Sequence, residues 1–160
     1  MIAGAAAVAA CAQASTPGTP ASAPGMPAPQ ATVMKVPQNG LQEVPLTIAS
    51  GGKVHRFTVE VARTDEQQTH GMMFRTAIAP DRGMVFPYDQ PQMLAFWMKN
   101  TLIPLDMIFI RQDGTIARIA TAVPLDLTGV PAGEPVVAVL ELAGGRAAEL
   151  GIKPGDTVRW

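Results

Sequence analysis

The sequence predicts a mainly β fold, an antiparallel β-barrel or jelly-roll-like sandwich with two short helices. Three observations predict it. Apolar runs are short and alternate with polar residues at period two, as in His55, Phe57, Val59 and Val61 against Arg56, Thr58 and Glu60. Turn chemistry recurs between those runs, at Ser50-Gly51-Gly52, Gln112-Asp113-Gly114 and Lys153-Pro154-Gly155-Asp156. No sustained strand–helix–strand alternation occurs, so hairpins dominate the connections.

The elements follow in order. Val44–Ala49 and Val54–Ala62 read as strands joined by the Gly51-Gly52 hairpin. Thr64-Asp65-Glu66-Gln67 is a capping box that starts a short helix, with Gly71 placed for a left-handed cap at its end. Gly83–Phe86 and Met93–Lys99 read as two strands separated by turn residues Tyr88-Asp89-Gln90-Pro91. Pro104–Arg111 and Thr115–Ala122 form a hairpin around Asp113-Gly114. Pro135–Leu142 is a further strand, Gly145–Leu150 a second short helix closed by Gly151, and Thr157–Trp160 a last strand.

The 160 residues amount to about one domain, and charge shows where it lies. Residues 1–52 hold only Lys35 and Glu43; the other charged residues follow. The chain therefore divides into a signal or lipobox-like segment (1–11), a Pro/Ala-rich tether expected to be disordered (12–43), and a single β domain (44–160). Val8-Ala9-Ala10-Cys11 resembles the lipobox of bacterial lipoproteins, which makes Cys11 the expected lipidation site. Pro17, Pro20, Pro24, Pro27 and Pro29 stand among small uncharged residues, a composition that cannot bury enough surface to order itself. The expected location is periplasmic, tethered to a membrane of the bacterial cell envelope, with the membrane met through the lipid anchor only.

Composition excludes several functions. A net charge of −1 without a basic run argues against nucleic acid. The serines, Ser15, Ser22 and Ser50, all precede the charged region, which leaves no serine nucleophile for a hydrolase triad. His55 and His70 are too far apart for a helical zinc pair, and one Cys makes neither a disulfide nor a thiolate zinc cluster. No metal site and no cofactor is expected.

His70-Gly71-Met72-Met73-Phe74-Arg75, Gly83-Met84-Val85-Phe86, the run from Phe96 through Trp97-Met98-Lys99-Asn100-Thr101 to Asp106-Met107, Val139–Leu142 and Gly151–Asp156 together resemble the domain-of-unknown-function family 192, also called uncharacterised protein family 0127. The resemblance covers about Val54 to Trp160. It implies a compact, jelly-roll-like β domain, often exported in bacteria, and it implies no reaction.

Two features invite a functional reading. Lys99-Asn100-Thr101 interrupts an apolar stretch, and Asp106 sits within its second half, where a buried carboxylate requires a partner such as Lys99 or Arg75. The candidate ligand site is therefore Arg75, Trp97, Lys99, Asn100, Thr101, Asp106 and Glu141, taking a small polar or anionic ligand. The opposing expectation is a polar network that only ties down the turn. The second feature is methionine: Met72, Met73, Met84, Met93, Met98 and Met107 lie close together, which reads as core filling or as soft ligands for cuprous copper. Binding of a small ligand or an envelope protein, the latter by addition to a free strand edge, is the expected function. A carbohydrate-acting envelope enzyme with Asp106 and Glu141 as its carboxylate pair is the alternative, and no catalytic residue is assigned.

Overall fold

The computed structural model describes residues 40–160, which lie within one compact unit, Lys35–Trp160. The expectations for Cys11 and for all but the last residues of the 12–43 tether lie outside the described residues. Seven strands run β1 (Glu43–Ser50), β2 (Lys53–Val61), β3 (Arg82–Phe96), β4 (Leu105–Ile110), β5 (Ile116–Ala122), β6 (Val130–Ala143) and β7 (Thr157–Arg159). Two short helices join them, α1 (Asp65–His70) and α2 (Arg146–Leu150).

All seven strands belong to one sheet, ordered β5-β4-β6-β3-β2-β1-β7. The sheet is mixed, not wholly antiparallel. β2 and β3 run parallel because α1 and its following loop carry the chain back to the same end of the sheet. The sheet curls into a half-barrel whose two edge strands meet at one end. There Thr115 bridges Thr157, Ile116 N–H donates to the Asp156 carbonyl at 2.8 Å, and Val158 N–H donates to Gly114 at 2.8 Å.

Period two sorts the side chains into two cores. Phe57, Val59 and Val61 of β2, Ile108 and Ile110 of β4, and Leu140 and Leu142 of β6 fill the inside of the curl with Val158 from β7. The other face carries Met84 and Phe86 of β3, Met107 and Phe109 of β4 and Val139 of β6, covered by Met72, Met98 and Ile103 from the loops. Four methionines are thus fully buried in one cluster, filling the gap between a curved sheet and irregular loops. Met93 is exposed.

The local signals place the connections. Thr64 caps α1, accepting from Gln67 N–H at 3.2 Å while the Gln67 side chain accepts from Thr64 N–H at 3.1 Å. Gly71 ends that helix at φ 46°, ψ −129°, a glycine conformation outside the left-handed helical region, with the Phe86 ring 3.3 Å from where a β-carbon would stand. Gly83–Phe86 and Met93–Phe96 are one strand. Tyr88-Asp89-Gln90-Pro91 makes a bulge in it, between the pairs Pro87–Ala138 and Gln92–Val136, because β6 pairs with both halves. The strand ends at Phe96, so Lys99 lies in a turn and not in a strand.

Candidate functional site

A cavity of about 360 Å³ opens on the methionine-rich face. Its walls come from α1 and the loop after it (Asp65, Gln68, His70, Met72, Met73), from β3 and its bulge (Phe86, Tyr88, Phe96), and from the following turn (Trp97, Lys99, Thr101). Glu141 of β6 completes the lining.

Glu141 is the unusual member. In register it lies between Met84 of β3 and Met107 of β4, both fully buried, and it is itself almost completely buried. Its Oε2 has no hydrogen-bond partner. Burial pushes its carboxyl up to about 8, against the opposing attraction of Arg75. At neutral pH the group is therefore mostly the uncharged acid, able both to donate and to accept a hydrogen bond. Tyr88 is affected in turn: burial first, then the neighbouring Glu141 and Asp65, hold its hydroxyl above the ordinary phenol range.

Arg75 does not line the cavity. Its guanidinium forms a two-point pair with Glu60 of β2, Nη1 to Oε1 at 3.3 Å and Nη2 to Oε2, with both side chains largely buried. Glu60 pairs in register with Met84, so Glu60, Met84, Glu141 and Met107 form one row across the sheet, and Arg75 stands beside it.

Of the seven residues expected at the site, the structure brings Trp97, Lys99, Thr101 and Glu141 together on the cavity wall. The Lys99 amine lies 5.2 Å from the centre of the Trp97 ring, a cation–π contact at the rim. Asn100 is not part of the lining. It occupies the positive-φ position of the turn and donates from Nδ2 to Met73 Sδ at 3.7 Å. Thr101 donates to the Lys99 carbonyl at 3.3 Å.

Asp106 lies elsewhere, for a reason set by phase. It pairs with Leu142, while Met107 pairs with Glu141, so on neighbouring strands the two acids point to opposite faces of the sheet. The partner of Asp106 is neither Lys99 nor Arg75. Its Oδ1 accepts from the Thr121 hydroxyl at 2.6 Å and from Gly145 N–H at 2.9 Å, and its Oδ2 accepts from Ala147 N–H at 2.8 Å. Asp106 thus ties the first turn of α2 to β4, doing what the side chain of Gly145 cannot. The pairing that a two-carboxylate enzyme requires does not exist between Asp106 and Glu141.

Sequence reasoning missed Asp65, Gln68 and Tyr88 as cavity residues. Tyr88 stood within an expected turn, and only the pairing of β6 with both halves of β3 turns that segment into a bulge beside the cavity. Among the described residues, no group of three His, Cys, Asp or Glu side chains is placed to hold a metal ion, and no helix is long and apolar enough to cross a membrane.

The family model DUF192, described as "Uncharacterized ACR, COG1430", matches residues 46–160. The chain belongs to the DUF192 family. Two crystal structures resemble this DUF192 domain closely. A protein of unknown function from Novosphingobium aromaticivorans DSM 12444 is 50% identical, with 78% of this chain and 90% of that one covered and a TM-score of 0.76. A protein from Sinorhizobium meliloti 1021, named "a putative transcription regulator", is 40% identical, with 74% and 94% covered and a TM-score of 0.73. No curated protein matches the chain.

Proposed function

We propose that this DUF192 domain is a binding module for a small, hydroxyl-bearing polar ligand, held in the cavity at Glu141. The unpartnered buried oxygen of Glu141 carries this reading. A buried polar atom without a partner destabilises a fold, and the flanking positions on β3 and β4 are methionines, so an apolar residue suits the same surroundings. A costly acid kept on a cavity wall is the arrangement a ligand would complete. Besides Asp65, His70 and Lys99, the lining holds neutral groups: the protonated Glu141 and the Tyr88 hydroxyl, able to donate and accept, and Thr101 and Gln68, whose donors go to the Lys99, Ala62 and Pro87 carbonyls and whose oxygens remain acceptors. They suit ligand hydroxyls better than a fixed charge. Lys99, already over Trp97 at the rim, would meet any anionic substituent there.

Glu141→Met tests the reading. The variant should melt at an equal or higher temperature than the parent. It should also lose the amide shifts that millimolar glucose or glycerol induces at Tyr88, Trp97 and Thr101. A variant destabilised by about 3 kcal/mol or more would make Glu141 a structural partner of Arg75 and end the proposal.

A second reading, cuprous copper held by thioethers, is favoured by one observation: His70, Met72 and Met73 line the same cavity. Stoichiometric Cu(I) uptake that Met72→Leu abolishes would establish it. We also propose that the chain acts in the cell envelope, anchored through Cys11. The support is the Val8–Cys11 sequence before an uncharged Pro/Ala spacer. Cys11→Ala should move the protein expressed in its host from the detergent phase to the soluble fraction; identical partitioning of both forms would refute the anchor.

A further inference from the structure

Three non-glycine residues among the described ones have a positive φ: Phe74 at 63°, Asn100 at 56° and Leu125 at 62°. They belong to three different loops, and backbone hydrogen bonds lash those loops together. Phe74 N–H donates to Asn100 at 2.8 Å, Leu125 N–H to Thr101 at 3.1 Å, and Met98 N–H to Asp126 at 2.9 Å. Asn tolerates this conformation through its short polar side chain, whereas Phe and Leu are strained in it. The strain is not offset by burial, because Phe74 is 61% exposed and Leu125 57% exposed. Trp97, Leu102 and Leu127, on the same loops, are exposed too. Backbone strain held in place by its surroundings, with apolar side chains turned to water, marks a surface made for contact.

The first two of these loops also supply Met73, Trp97, Lys99 and Thr101 to the cavity wall, and the third is bonded to it through Leu125 N–H and the Thr101 carbonyl. An apolar ledge therefore adjoins a polar cavity. Lys99 stands between them, its amine over the Trp97 ring. From this continuity we infer that the ligand is an amphiphile: its hydroxylated head enters the cavity at Glu141, and its hydrocarbon portion lies along Phe74, Trp97 and Leu125. The inference rests on the cavity reading above and adds to it the chemical class of the ligand. The occupant is a single-chain amphiphile free of any bilayer, because its hydrocarbon portion lies along the protein surface beside its own head.

The full chain carrying Cys11→Ala is titrated with octyl glucoside below its micellar concentration, with glucose and with 1-octanol, followed by amide NMR. Octyl glucoside should bind at least tenfold tighter than either fragment, shifting residues both at Tyr88 and at Leu125. Phe74→Gly and Leu125→Gly relieve the strained φ while deleting the side chains, so they keep the fold. Each should weaken octyl glucoside toward the glucose level without changing glucose. In a parallel arm, sedimentation with phosphatidylglycerol vesicles should show no binding that depends on Phe74 and Leu125. The inference is overturned if octyl glucoside shows no gain over its fragments, if the glycine variants match the parent, or if vesicles bind with that dependence while the monomeric glucoside gains nothing, which would make the ledge a bilayer contact. Glucose binding that persists without any chain-derived gain leaves the cavity reading standing. Octyl glucoside binding that is indifferent to Glu141→Met defeats the cavity reading and the inference with it.

Discussion

Glu141 and Asp106 are both buried acids, yet one residue of phase sends them to different work. Asp106 faces the inner core and spends both oxygens on one hydroxyl and two backbone amides. Asp106→Asn replaces an acceptor with a donor aimed at other donors. It should destabilise the domain by about 2 kcal/mol in urea unfolding, within the range for a lost buried hydrogen bond to a charged group. A change below about 0.5 kcal/mol would show that the α2 tie is dispensable. Period two correctly separated Asp106 and Ile108 from Leu105, Met107 and Phe109. It could not show that the partner of Asp106 is the backbone of a helix 39 residues further on. Glu60 offers a complementary test, since its pair with Arg75 restrains how strongly that guanidinium acts on Glu141. Glu60→Gln should leave Arg75 under-compensated and lower the Glu141 pKa, which carbon-detected NMR of the carboxyl would read directly. An unchanged value would mean that Arg75 is too well screened to matter.

At the scale of elements, the hairpin and capping signals were legible because they are local. The Thr64–Gln67 box, the Gly51-Gly52 and Gly114 turns and the Pro154-Gly155 turn all stand where short-range chemistry placed them. The parallel β2–β3 pair and the fusion of two expected strands into β3 were not legible, because both depend on what lies alongside. β6 runs past Tyr88–Pro91 and pairs on either side, converting turn residues into a bulge. β3 packs closely on β6 at Gly83, where a β-carbon would stand 2.5 Å from the Glu141 carbonyl oxygen and 2.7 Å from Leu142 Cδ2. Gly83→Ala must push β3 away from β6 and should cost about 2–3 kcal/mol, with Glu141 and its cavity disturbed first. Hydrogen exchange should localise the damage to β3 and β6. Wild-type protection in both strands would show that the pair yields without cost.

For the whole molecule, the same buried acid sets a pH dependence opposite in sign to that of most carboxylates. The Glu141 pKa is raised from an ordinary 4.5 to about 8 by burial, so between those values the folded chain holds a proton that the unfolded chain has released. Stability must then fall as pH rises, because the unfolded state binds fewer protons. The contribution is intact below about pH 4.5, declines through the interval, and levels off once pH passes the folded value near 8. In the steep part the slope is about 1.4 kcal/mol per pH unit. Asp113, Glu134 and Asp126 pull the other way, being held below their usual range by hydrogen bonds from Thr115, Arg111 and Thr128 respectively. Their effect is confined to acid pH, so it does not mask the slope above pH 5. Urea midpoints measured from pH 5 to 8.5 should therefore decline for the parent and stay nearly flat over pH 5–7.5 for Glu141→Gln, which cannot titrate. A hydroxylated ligand in the cavity adds a further distinction. By hydrogen-bonding the neutral acid it should raise the folded pKa and carry the decline to higher pH before it levels off, whereas a cationic ligand would pair with the carboxylate, release the proton and end the decline at lower pH. A parent curve as flat as that of Glu141→Gln would mean that water or Arg75 compensates the buried charge, leaving no unmet hydrogen bond for a ligand to satisfy.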